Sequence, residues 1–255
     1  MEKEQAKALV RAITGSDVVN KEKLIEIGKK LWEFRKFLAR NPELRRSELN
    51  EEQKRFVEMV RTALGIRTPI GTGGLAGIFG ENRLEYALGN ALTSYACSMF
   101  EITGYEEGLD KIIKDMVTFQ YHDSMDETPV ISAYLKLGKP RKARGVVETF
   151  ERLGKFGLYR AFDSYAVYFK DLKSAFEVLK KIEKYIDKEP IDSFGVMMRA
   201  VTLYENGLKT EEVRKKIVEY AQKVINNKKV TAKGFVPRAK EMLEKYARGK
   251  IKGKR

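Results

Sequence analysis

The side chains that could do chemistry are few. One histidine, His122, and one cysteine, Cys97, occur among 255 residues. A Ser-His-Asp or Cys-His constellation would have to be built around that single imidazole, and neither an intramolecular disulfide nor a cysteine-based zinc site can form. His122 lies in YHDSMDETP, Tyr121 to Pro129, together with Asp123, Asp126 and Glu127. One nitrogen and three carboxylates suit a divalent cation. The same stretch also reads as an Asp-rich turn in which Asp126 or Thr128 caps a helix at Pro129, and that reading needs no metal. We expect the turn, and no metal. Cys97, four residues from Glu101 on an apolar helix, suits a small buried or groove-lining position better than a nucleophile.

Phosphate binding is the other chemistry to consider, because GIRTPIGTGGLAGIFG, Gly65 to Gly80, holds six glycines in sixteen residues. A dinucleotide fingerprint needs a strand leading into the glycines and a helix that begins among them. The residues before Gly65 carry helical spacing instead. A Walker-type loop ends in Gly-Lys-Ser/Thr, whereas here Gly77 is followed by Ile-Phe and Gly80 by Glu-Asn. The stretch therefore reads as a connector whose Ile70, Leu75, Ile78 and Phe79 tuck against neighbouring helices. No cofactor is expected.

The surrounding elements read as helices. Ala6, Leu9, Val10 and Ile13 give helical spacing between Glu2 and Thr14, and Leu24, Ile27, Leu31, Phe34 and Leu38 do so between Asn20 and Asn41. Phe37 falls outside that second stripe. Asn50 with Gln53 forms a capping box for a third helix through Phe56, Val57 and Val60. The N-terminus has no apolar core of a secretory signal, and no apolar run approaches the roughly 20 residues that span a bilayer. These features predict a cytoplasmic chain without a membrane segment.

Beyond Glu81 the sequence aligns with itself. Ser94–Phe119 and Ile131–Phe156 each hold an aromatic-containing helix, a short turn with glycine, a small residue early in a second helix and large apolar residues at helical spacing after it, and Ser164–Ile186 and Met198–Ile225 follow. Gly108, Ala143, Ala175 and Val213 are the equivalent second-helix positions, at spacings of 35, 32 and 38 residues. The third copy has Lys170-Asp171 where the others place glycine. With Tyr134, Gly138, Ala143, Val147 and Phe150 in its best copy, the array resembles the tetratricopeptide repeats, whose period is about 34 residues. The match covers roughly residues 90 to 227.

The resemblance implies an all-α fold: an antiparallel helix-pair repeat array, or α-solenoid, with an N-terminal helical segment. The expected divisions are 1–64 for that segment, 65–80 for the connector, 81–247 for the repeats with a capping helix at Pro237, and 248–255 for a basic tail. It also implies a groove lined by first helices, in which Thr93, Cys97, Phe100, Ser132, Lys136, Arg160, Ser164 and Tyr168 face a protein or acidic-peptide partner. The three-residue rhythm of Phe156, Tyr159, Phe162, Tyr165 and Tyr168, with Phe169 following, points to core rather than to base stacking.

Charge supplies the second reading. Fifty Lys plus Arg against thirty-six Asp plus Glu leave a formal net charge of +14, which attracts DNA or RNA. Lys29, Lys36 and Arg40 on the second helix, Lys139, Arg141, Lys142 and Arg144 at a turn, and Lys250, Lys252, Lys254 and Arg255 in the tail are the residues that would form such a surface. The same composition also suits a thermophile-like network of ion pairs. With no phosphate loop or triad, a non-enzymatic scaffold is expected ahead of a nucleic-acid binder, and both ahead of a metal-dependent enzyme at His122.

Overall fold

A computed structural model of the chain describes residues 10–11, 19–42, 44, 48–63, 84–119, 127–186, 190–227 and 234–247. The N-terminal residues before Val10, the glycine-rich connector, His122 with Asp123 and Asp126, and the basic tail lie outside them. All regular structure among the described residues is helical. The helices are α1 (Lys21–Arg40), α2 (Glu51–Ala63), α3 (Leu84–Thr103), α4 (Glu106–Phe119), α5 (Thr128–Lys136), α6 (Pro140–Glu151), α7 (Lys155–Val167), α8 (Leu172–Glu183), α9 (Pro190–Glu205), α10 (Glu211–Asn226) and α11 (Phe235–Ala247).

Local chemistry accounts for several of the boundaries. The Asn20 side chain accepts from the Lys23 amide at 2.9 Å and starts α1. Asn50 and Gln53 form the reciprocal capping box of α2, at 3.0 and 2.8 Å. Asp171 caps α8 and Thr210 caps α10. At α5 the N-cap residue is Glu127, whose side chain makes no capping bond, and Thr128 is already helical; Pro129, which lacks an amide proton, fits the first turn.

The chain divides into two compact units between Val146 and Val147, inside α6. In the first unit α3 packs against α1, α4 and α5. Gly28 of α1 faces Met99 and Phe100 of α3, whereas Arg35 faces Gly89, so the two helices run antiparallel. Their approach is close: a Cβ on Gly28 would lie 2.5 Å from the Phe100 ring. Ile27, Leu31, Trp32, Leu88, Leu92, Ala96 and Met99 are buried here. The N-terminal segment therefore shares a core with helices that follow the glycine-rich stretch.

In the second unit α7 packs on α8, α8 on α9, α9 on α10 and α10 on α11. Leu158, Phe162, Leu179, Ala200, Ile217 and Val224 form its core, with Ala239, Met242 and Tyr246 of α11 covering the end. Phe162 and Tyr165 are buried as expected, but Phe156 is 56% exposed and Tyr168 is 38% exposed. These two residues are a correction to the core assignment of the aromatic run.

The turns joining α3 to α4, α5 to α6, α7 to α8 and α9 to α10 each contain one left-handed residue. They are Gly104 (φ 65°), Gly138 (φ 69°), Lys170 (φ 53°) and Gly207 (φ 119°), at steps of 34, 32 and 37 residues. After each glycine the next amide reaches back five residues to the helix end: Tyr105 to Phe100 O at 2.8 Å, Lys139 to Tyr134 O at 2.8 Å and Leu208 to Leu203 O at 2.9 Å. This is the Schellman closure. At Lys170 the turn is one residue longer, with the Asp171 amide bonded to Tyr165 O at 3.0 Å. A left-handed L-residue costs about 1–2 kcal/mol. Gly138→Ala should therefore destabilise by about 1 kcal/mol and Lys170→Gly should stabilise by a similar amount, in opposite directions on urea unfolding.

Candidate functional site

The four small or β-branched second-helix positions, Gly108, Ala143, Ala175 and Val213, are all buried. A Cβ on Gly108 would lie 2.7 Å from both the Phe100 and Tyr105 rings, which is why glycine serves there. The first helices α3, α5, α7 and α9 are then left to present whatever surface their outward sides carry.

Of the expected groove residues, Thr93, Cys97, Phe100 and Ser164 are buried. Thr93 Oγ1 donates to Gly89 O of its own helix at 3.1 Å. These four assignments are corrected: in this arrangement they contribute to the interior. The exposed line on α3 lies one residue later, at Asn90, Ser94 and Ile102 with half-buried Ser98. The physical reason is that α3, LEYALGNALTSYACSMFEIT, is apolar or small nearly all round and is packed by three neighbours. A three-and-four spacing can therefore be drawn on more than one of its faces. Ser132 and Arg160 are half-buried, and Lys136 and Tyr168 are exposed.

The expected polyanion-binding residues fare differently from one another. Lys36 is buried, with Nζ 2.7 Å from Glu33 and 3.4 Å from Asp115, and it is withdrawn from any surface. Lys29 is exposed above the Tyr105 ring, and Arg40 and Arg141 are exposed. Lys139 pairs with Glu106 at 3.2 Å, Lys142 pairs with Glu106 at 2.9 Å and Asp110 at 3.1 Å, and Arg144 is half-buried. The Lys250, Lys252, Lys254 and Arg255 cluster lies outside the described residues. So do His122, Asp123 and Asp126; Glu127 is buried. Among the described residues no three His, Cys, Asp or Glu side chains come together as metal ligands.

These ion pairs repeat with the turns. In the first unit Lys136–Glu101 links α5 to α3, and Lys142–Asp110 links α6 to α4. In the second, Lys181–Glu151 links α8 to α6, Lys155–Asp192 and Arg199–Asp163 link α7 to α9, Lys216–Glu183 links α10 to α8, and Lys245–Glu205 links α11 to α9. Their sequence separations run from 30 to 40 residues. These seven pairs thus bridge helices about one period apart.

Hydrogen bonds within this ladder also shift tyrosines. Burial, and then the carboxylate of Asp110 that accepts from its hydroxyl, hold the Tyr134 pKa well above its usual 10.0. Burial and then Glu183 do the same for Tyr220. The folded chain thus keeps protons that the unfolded chain releases above pH 10, so this stability is full below that pH and is lost progressively from pH 10 upward, toward the raised pKa of the folded state. The expected slope is about half of 1.4 kcal/mol per pH unit for each tyrosine at pH 10 and approaches the full value above about pH 11. Urea midpoints between pH 9 and 11 should fall in the native chain and fall less in Tyr134→Phe.

Two surfaces remain as candidates for contact. One is an open groove of about 740 Å³ between α1 and α2, with Phe34, Phe37, Phe56 and Met59 as its apolar lining. Phe34 stacks on Phe37 and meets Phe56 edge-on, which accounts for Phe37 standing outside the core stripe. The other is the outward side of α7 and α9. There Lys155 Nζ bonds Asp192 at 2.6 Å, the Tyr159 hydroxyl lies 3.4 Å from the same carboxylate, and Arg199 lies over the Tyr159 ring at 4.4 Å while bonding Asp163 at 3.2 Å. Burial, then the negative charge of Asp192, raises the Tyr159 pKa. That tyrosine is therefore a protonated hydrogen-bonding and stacking group at neutral pH.

Neither a protein-family model, nor a curated protein, nor a solved structure matches the chain. The fold class that stands is all-α, and no described helix is long and apolar enough to cross a membrane.

Proposed function

We propose that the protein is a non-enzymatic interaction scaffold: a tetratricopeptide-like array of antiparallel helix pairs whose first helices offer a surface to a protein partner. The observation that carries this reading is the recurrence of a left-handed turn residue at Gly104, Gly138, Lys170 and Gly207. One hairpin cannot bury its own apolar face, so pairs of this period stack, and stacking frees one side of the first helices for a ligand. The ion pairs one period apart lend further support, and the net positive charge favours partners bearing acidic groups. A cytoplasmic setting accords with the proposal.

The second reading, a DNA- or RNA-binding protein, draws on the net charge of +14. It is weakened by Lys36, which is buried, and by Lys139 and Lys142, which are engaged by carboxylates. Fluorescence anisotropy with labelled single- and double-stranded DNA and RNA, across a salt series, separates the two. The scaffold reading expects weak binding that disappears toward physiological salt. Tight binding that persists there and discriminates among the nucleic acids would replace it with the nucleic-acid reading.

A further inference from the structure

The groove between α1 and α2 has the form of a helix seat. Phe34, Phe37, Phe56 and Met59 line it, and all four are half-buried. The groove is open to solvent, whereas a small molecule is held by a site that encloses most of its surface. A trough between two helices instead takes the ridge of a third.

Charge selects that third helix. The chain has a formal net charge of +14 and as a whole repels its own copies. The groove is balanced: Glu26, Glu33 and Glu52 stand with Lys29, Lys30 and Arg55. A uniformly acidic or basic partner would meet as much repulsion there as attraction. Glu26 holds Lys30 and Glu33 holds Lys36, each at 2.7 Å. Glu52 and Arg55 are both exposed and join no ion pair among the described residues; Arg55 acts on Glu51 only as the smallest of the influences there. These two charges are opposite in sign and about one turn apart on α2. A partner that satisfies both carries the same pair on an antiparallel helix, and a second copy of α2 does so by symmetry.

We infer that a second copy of this chain occupies the groove, with the two α2 helices antiparallel about a two-fold axis that passes between Glu52 and Arg55. Glu52 then meets the partner's Arg55 and Arg55 meets the partner's Glu52, so one operation makes two bridges. Glu52, Arg55, Phe56 and Met59 lie within an arc of about 100° on α2, so the ridge that carries the bridges also carries the apolar contact. Phe56 and the partner's Phe56 come about 7.5 Å apart along the helices, five residues at 1.5 Å each, within reach of aromatic contact across the axis. Phe34, edge-on to Phe56, and Phe37 flank that contact. Neither α1 nor α2 is a first helix of the repeated pairs, so the inference goes beyond the scaffold reading and stands without it.

The test is sedimentation equilibrium of the full chain at near-physiological salt over about a hundredfold range of concentration, because the population of a dimer follows concentration. A monomer–dimer equilibrium is expected. Glu52→Arg and Arg55→Glu each set like charges against one another across the axis, and each should weaken dimerisation about tenfold or more. Mixed in equal amounts, the two variants restore both opposite-charge contacts and should associate as the native chain does. Unchanged circular dichroism at dilutions where the chain is monomeric would show both variants folded. A chain that is monomeric throughout, a dimer indifferent to both substitutions, or a mixture no tighter than either variant alone would overturn the inference. These outcomes leave the scaffold reading standing, since that reading fails on the nucleic-acid salt series instead.

Discussion

Gly157→Ala is expected to lower the stability of the chain by about 3 kcal/mol, the upper part of the range for overpacking. Gly157 is buried in the first turn of α7, and a Cβ there would stand 1.9 Å from the Phe150 carbonyl oxygen and 3.1 Å from the Leu153 Cβ. The obstacle is backbone, so no side-chain rotation relieves it and α7 must move off the end of α6. Gly145 and Gly195 are the controls. Both are helical; a Cβ on Gly145 meets nothing within 4 Å, and one on Gly195 meets only Arg199 Nη1 at 3.7 Å. Alanine at either should stabilise by up to about 1 kcal/mol through helix propensity alone. Urea unfolding of the three variants checks both directions in one experiment, and a neutral Gly157→Ala would contradict the close approach of Gly157 to the Phe150 carbonyl.

The second large effect is expected at Asp115. Its Oδ2 accepts from Trp32 Nε1 at 2.8 Å and lies 3.4 Å from Lys36 Nζ, and the lysine and aspartate side chains are only 9% and 16% exposed. Asp115→Ala leaves the indole N–H and a nearly buried ammonium facing a cavity. The cost of breaking a pair in such surroundings is about 3 kcal/mol, moderated by Glu33, which also holds Lys36. Asp115→Asn in combination with Lys36→Met keeps an acceptor for Trp32 and removes both charges, so most of the loss should return. Equal destabilisation by the single and double variants would count against the pair as the source.

Much of the architecture can be read from residue types. Asn50 and Gln53 announce a cap, Gly104, Gly138 and Gly207 announce helix ends, and the buried positions Ala143, Ala175 and Val213 recur at the spacing that suggests repeated pairs. Positions set by neighbours rather than by local pattern are harder to read. Cys97 and Phe100 lie on a helix that is apolar all round, and only its contacts with α1, α4 and α5 decide which side is interior. Lys36 reads as surface from its type, yet Asp115, distant in sequence, draws it inward. Lys170 adopts a glycine's conformation because the hairpin requires a turn at that place, a constraint its side chain does not reveal. Phe156 and Tyr168 share an aromatic rhythm with true core residues, and what distinguishes them is their exposure among the described residues, which the rhythm does not reveal.

The central claim is that the first helices of the pairs receive a protein. Photo-crosslinking tests it most directly, with benzoylphenylalanine placed singly at Ser94, Ser132 and Phe156 on α3, α5 and α7, and at exposed Lys111, Lys181 and Lys215 on α4, α8 and α10. In extract of the cells that make the protein, the scaffold account predicts adducts of discrete protein mass from the first set and none from the second. Adducts that form equally from both sets, or that are lost on nuclease treatment, would contradict it.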